Sequence, residues 1–201
     1  MFVSRISCAV TGDCLPELSH RNWVEAPDVS VLFDIHHRGT SVLLKFRVTE
    51  PQVKARHTGF NSPVWEDSCV EFFISLEKDR AYYNFEFNAI GSVLAAYGPD
   101  RYHREPFPGE LLERIQVNPS LGTRPIEDMR GIVSWDLDIV LPVALFHHHQ
   151  VWDIAGMKAR GNLYKCGEKL DRPHYLSWQS VDTEKPDFHR PEFFGELEFS
   201  P

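Results

Sequence analysis

The segment WEDSCVEFFISLEKDRAYYNFEFN, residues 65–88, constrains the fold more than any other stretch of the chain. Val70, Phe72 and Ile74 alternate with Cys69, Glu71, Phe73 and Ser75, and Tyr83, Phe85 and Phe87 alternate with Tyr82, Asn84, Glu86 and Asn88. Alternation with a period of two marks a half-buried strand. The charged run 77–80 between the two halves suits a turn, so the segment is predicted to be a β-hairpin. Closing the turn at Leu76 and Ala81 sets Val70 against Phe87, Phe72 against Phe85 and Ile74 against Tyr83. A slip of one residue would set apolar side chains against polar ones, so the pattern fixes the register. The other face then follows: Glu71 opposes Glu86, and Phe73 opposes Asn84. Directly opposed side chains have Cβ atoms roughly 4.5–5.5 Å apart, where like charges are destabilising. Two facing carboxylates close to Trp65 therefore require a partner or a purpose.

The rest of the chain repeats this strand character. Residues 29–36 and 41–48 read as a second hairpin, carrying Val31, Phe33 and Ile35 on one arm and Val42, Leu44, Phe46 and Val48 on the other. Residues 132–140 and 154–164 alternate as well. Trp23 is read as capping the core, 50–63 as a polar loop, 98–109 as a long surface loop and 118–129 as loop. About ten short strands with almost no helical periodicity argue for an all-β fold, a β-sandwich or a barrel. With 201 residues and no repeat or linker, one domain spanning residues 1–201 is expected. A net charge of −8 argues against general binding to nucleic acid or an anionic membrane surface. No apolar run reaches membrane-spanning length. The start lacks a convincing signal peptide, so a cytoplasmic protein is the simplest expectation; a secreted or periplasmic one follows if a signal has been removed.

The polar parity of the strands carries Glu71, Asn84, Glu86, Asp136, Lys158, Arg160 and Asn162. Carboxylates, amides and a guanidinium in rigid positions complement sugar hydroxyls, which both donate and accept. The bland alternative for each residue is a solvated sheet face. Glu71 and Glu86 also permit a glycoside hydrolase, whose two carboxyl groups stand roughly 5–5.5 Å apart in retaining enzymes. Arg160, Lys158 or a hard cation could instead neutralise them. The run His147-His148-His149 reads as a solvated tract, since neighbouring residues do not converge on one ion. The four cysteines, Cys8, Cys14, Cys69 and Cys166, match no zinc spacing, although Cys8 and Cys14 could pair. No metal site, cofactor or catalytic nucleophile is assigned.

Five segments resemble carbohydrate-binding module family 9 and its relatives in the DOMON-like superfamily: WEDSCVEFFIS (65–75), YYNFEFNAIG (82–91), WDLDIVLP (135–142), RGNLYKCG (160–167) and DFHRPEFFGELEF (187–199). The resemblance implies a β-sandwich, which narrows the expected fold to an antiparallel, jelly-roll-like sandwich, holding a mono- or oligosaccharide between two aromatic rings. It implies Trp65 as one ring and Glu71 as a hydrogen-bonding partner, with Asn84 and Glu86 where the family often has a basic contact. The second ring falls near Phe188, beside His189, where the family has a tryptophan. With Arg160 and Asn162 these complete the expected ligand-binding set. The implied function is non-catalytic, and some members bind structural calcium. The known modules accompany glycoside hydrolases, so such an enzyme is an implied partner; a protein-interaction domain with a vestigial sugar face is the remaining alternative.

Overall fold

The computed structural model describes residues 5–8, 15–76 and 79–201. The strands are β1 (Arg5–Cys8), β2 (His20–Arg21), β3 (Ser30–His37), β4 (Ser41–Ala55), β5 (Cys69–Leu76), β6 (Tyr82–Asn88), β7 (Val93–Gly98), β8 (Glu105–Pro106), β9 (Gln116–Pro119), β10 (Ile126–Pro142), β11 (Lys158–Cys166), β12 (Tyr175–Ser177) and β13 (Gly195–Phe199). A single helical turn, α1 (Gly109–Leu112), precedes β9. Among the described residues nine strands form one sheet, with the path β1-β13-β11-β5-β6-β7-β8 and the pair β12-β2 attached to β11. Four form the other, in the order β3-β4-β10-β9. Pairing is antiparallel except between β1 and β13. The expected β-sandwich is the observed fold.

The hairpin register agrees with the sequence reading: Val70 pairs with Phe87, Glu71 with Glu86, Phe72 with Phe85, Phe73 with Asn84 and Ile74 with Tyr83. The β3–β4 hairpin likewise sets Val31 against Val48, Phe33 against Phe46 and Ile35 against Leu44. The inward side chains of the two sheets make one continuous core, in which Phe33, Phe46, Phe72, Phe85, Trp135 and Leu137 are buried. Each large apolar side chain so buried contributes about 1.5–3 kcal/mol. Part of the 77–80 turn, and any pairing of Cys8 with Cys14, lies outside the described residues.

Three expectations change. Residues 50–55 are strand rather than loop, because β4 runs on to Ala55. Glu50 hid this: it is fully buried and its Oε2 pairs at 2.9 Å with Lys165 Nζ, so a charge occupies a core position. Residues 118–129 contain the end of β9 and the start of β10. Trp23 does not cap the main core; it packs on a second, smaller cluster.

That cluster explains the hairpin's other face. Every residue of β5 and β6 is buried, including the polar parity. Phe73, Tyr82, Tyr164, Val181, Phe188 and Phe194 form an apolar layer on the outside of the large sheet, with Trp23, Trp65 and Tyr175 packed against it. The C-terminal segment before β13 thus roofs part of a face that alternation alone would assign to solvent.

Candidate functional site

Where the roof stops, a cleft of about 160 Å³ opens over the centre of the large sheet. Its floor is one row of the sheet. Tyr164, Glu71 and Glu86 lie in register across β11, β5 and β6, and Cys166, Cys69 and Asn88 form the next row. Glu71, Glu86 and Cys166 line the cleft.

Trp65 forms one wall. It sits in the 3-10 turn Val64–Glu66, immediately before β5. Asp67 fixes that turn: its Oδ2 accepts from the backbone N–H groups of Arg56 and His57, at 3.0 Å each, and from Asn88 Nδ2 at 2.9 Å. The Trp65 carbonyl accepts from the Glu168 N–H at 3.3 Å. The backbone that carries the indole is therefore fixed on both sides of it, and Trp65 remains only partly buried.

Phe188 and His189 form a second wall. Phe188 stacks on Tyr164 with ring centroids 4.1 Å apart and planes 17° from parallel. Trp23 backs it at 5.5 Å. His189 Nδ1 lies 2.9 Å from the Tyr82 hydroxyl. Burial, with Arg104 and Arg101 adding to it, holds His189 neutral by pushing its pKa well below the ordinary histidine value.

A third wall comes from the long loop after β7, which supplies Arg101, Tyr102 and Arg104. Gly98 lets this loop double back, since a Cβ there would lie 2.2 Å from the His103 carbonyl oxygen. Asp100 Oδ1 accepts from the Tyr102 N–H at 2.8 Å and the His103 N–H at 3.0 Å, which closes the turn. Tyr102 is 85% exposed at the rim. Glu168, Tyr175, Pro186 and Asp187 complete the lining.

The opposed carboxylates are accommodated by different partners. Glu86 Oε1 receives Asn84 Nδ2 at 3.0 Å and faces Arg104 Nη1 at 3.4 Å. Burial pushes the Glu86 carboxyl up to about 7, and Arg104 restrains the rise. Glu71 Oε1 accepts from the Cys166 thiol at 3.1 Å. Burial, then the neighbouring Cys166 and Glu86, drive the Glu71 pKa well above the usual carboxylate range. Burial thus disfavours the charged form of both carboxyls, and Glu86 has an arginine beside it to offset this while Glu71 has a thiol.

Of the eight residues expected to bind ligand, Trp65, Glu71, Glu86, Phe188 and His189 meet around this cleft. Asn84 lies beneath it, fully buried, and supports Glu86. Arg160 and Asn162 are placed elsewhere. Arg160 Nη2 donates to the Phe194 carbonyl at 2.8 Å. Asn162 clips the covering segment to β11, donating to the Gln179 carbonyl at 3.0 Å and accepting from its N–H at 2.9 Å. The guanidinium beside Glu86 therefore belongs to Arg104, not to Arg160. Sequence reasoning missed Arg101, Tyr102, Arg104 and Glu168. The available signal was the long loop itself, since long loops in compact domains are commonly functional.

Among the described residues, His, Cys, Asp and Glu side chains close enough to share a metal ion meet in one place. The group is Cys69, Glu71 and Cys166, and it offers two sulfurs. Calcium takes six to eight oxygen ligands. Among the described residues no helix is long and apolar enough to cross a membrane.

Comparison with known proteins agrees with this architecture. A crystal structure from Bacteroides uniformis ATCC 8492, provisionally assigned as a carbohydrate-binding protein, is 38% identical, with a TM-score of 0.89 over 98% of this chain and 97% of that one. A family 9 carbohydrate-binding module from Caldicellulosiruptor kristjanssonii in complex with glucose superposes with a TM-score of 0.62 at 12% identity, over 98% and 96% of the two chains. A cellotriose complex of a family 9 module from the same organism gives 0.56 at 10% identity, over 98% and 94%. At such identities these two modules speak to the fold alone. No curated protein matches the sequence. The family model for carbohydrate-binding family 9 matches residues 14–199, nearly the whole chain, and the chain belongs to that family.

Proposed function

We propose that the chain binds a carbohydrate without transforming it, taking a monosaccharide or the end of a short oligosaccharide into the cleft. The observation that carries this reading is the meeting of Trp65, Phe188, Glu71 and Glu86 around one opening. Aromatic side chains offer rigid contact area to the apolar face of a sugar ring. The carboxyls and Arg104 supply acceptors and donors for its hydroxyls. The cleft, at about 160 Å³, is below the roughly 300–1,000 Å³ of clefts that enclose drug-sized ligands. That size favours one sugar ring over a long chain. The membership in carbohydrate-binding family 9 supports the same reading.

Calorimetric titration with glucose, cellobiose, cellotriose and a broader glycan panel tests it. Saturable binding is expected, weakened at least about tenfold, or about 1.4 kcal/mol, in Trp65→Ala and in Glu71→Gln. Absence of binding to every sugar tested would reject the proposal. An assay with aryl glycosides should give no release above the blank. Release that disappears in Glu86→Gln would make the protein a hydrolase instead.

A further inference from the structure

Beside Glu71, the floor of the cleft contains two thiols that the sugar reading does not use. Cys69 and Cys166 are directly opposed on β5 and β11. Glu71 lies two residues beyond Cys69 on the same face of β5. The three side chains are 0%, 2% and 3% exposed. Their two Sγ atoms and one carboxylate oxygen all lie within 4.8 Å of one another, and Cys166 Sγ is 3.1 Å from Glu71 Oε1. We propose that this Cys69–Glu71–Cys166 cluster is a binding site for a thiophilic divalent cation of the zinc class, open to the cleft on its fourth side.

Three points of geometry support the assignment. Zinc holds thiolate sulfur at about 2.3 Å and carboxylate oxygen at about 2.0–2.2 Å in a tetrahedron, which puts neighbouring donors about 3.5–3.8 Å apart. The observed cluster needs a contraction on the order of 1 Å to reach that arrangement. Second, the donors project from adjacent paired strands in a fixed register, so their spacing is set by the sheet and not by a loop. Third, Glu71 and Cys166 line the cleft, which gives the ion an entry path and leaves a coordination position for water or a ligand hydroxyl. Two sulfurs and one oxygen select zinc-like cations over calcium or magnesium, which take oxygen ligands. The carboxylate has two oxygens, so a metal bond through Oε1 leaves the other free to accept a hydrogen bond.

Titration of the untagged, chelator-stripped protein with Co²⁺ under a phosphine reductant tests the assignment independently of any sugar. The expected result is a saturable thiolate-to-cobalt charge-transfer band in the near ultraviolet, with visible bands of tetrahedral intensity, reversed by zinc. The band should vanish in Cys69→Ser/Cys166→Ser. In Glu71→Gln the midpoint should rise at least about tenfold, since loss of even supporting groups costs that much at metal sites. Cobalt on the His147–His149 run would give no thiolate band, so the readout separates the two. No charge-transfer band in the wild-type protein, or a band that survives in a folded double-serine variant, overturns the proposal. So does a wild-type protein whose two thiols are consumed by disulfide formation even with reductant present.

Discussion

Lys165 places an ammonium group inside the sandwich, where an unpaired charge could not persist. It is fully buried, and each of its donors is engaged. Nζ pairs with Glu50 Oε2 at 2.9 Å, donates to the Cys166 carbonyl at 2.8 Å and lies 2.8 Å from His174 Nε2. Glu50 Oε1 in turn accepts from Trp135 Nε1 at 2.8 Å. This network ties the large sheet to the small one through charge, because Lys165 belongs to β11 and Glu50 to β4. Removing one partner of a buried pair leaves the other uncompensated, at about 3–5 kcal/mol. Lys165→Met should lower the unfolding free energy by about that much in urea denaturation. The double variant Lys165→Met/Glu50→Gln should recover most of the loss, because it removes both charges. The register on β11 made Lys165 inward-facing by parity. Nothing in the sequence near it named Glu50, 115 residues away in the chain, as its partner.

At the scale of elements, the site is a compromise between a rigid floor and three walls. The floor was legible, since alternation in residues 69–76 and 82–88 fixed which side chains share a face. The walls were legible only in part. Trp65 and Phe188 were singled out by resemblance, whereas the loop bearing Arg101, Tyr102 and Arg104 carries no periodicity to place it. Its position depends on the tight return at Gly98. A methyl group there would meet the His103 carbonyl, so Gly98→Ala should displace the loop. Sugar affinity measured by calorimetry is expected to fall at least about fivefold, or about 1 kcal/mol. The buried core does not depend on this loop's fine geometry, so the near-ultraviolet circular dichroism of the core aromatics should be largely retained. Arg104→Met should weaken sugar binding likewise; it removes the Arg104 Nε bond to the Arg101 carbonyl, but the two Asp100 bonds that close the turn remain.

For the whole molecule, pH reaches stability through groups that burial holds neutral. His174 is pushed down to about 2, first by burial and then by Lys165. Its Nδ1 lies 3.2 Å from the Arg172 carbonyl, which leaves Nε2 to accept from Lys165. A histidine with a lowered pKa adds stability above its unfolded value near 6.5 and loses it as pH falls below that. Glu71 and Glu86 act in the opposite sense, because raised carboxyl pKa values favour the folded state at low pH. The comparison that isolates His174 is therefore wild type against His174→Gln. Between pH 7 and pH 5 the wild type should lose about 2 kcal/mol relative to the variant by chemical denaturation. An equal pH slope in both proteins would show that His174 takes up its proton equally in the folded and unfolded states, which would overturn the lowered pKa.

By itself the sequence determined the all-β class, the register of the two hairpins and the opposition of Glu71 to Glu86. These are local consequences of a period-two pattern in which any slip exposes apolar surface. Only the tertiary structure decided that the polar face of the large sheet is roofed, that Arg104 rather than Arg160 stands beside Glu86, and that Asn162 secures the roof. It also decided that Cys69 and Cys166 meet beneath Trp65. These are pairings between elements distant in the chain, set by sheet order and by how loops return across the sheet, and alternation along one strand carries no information about either.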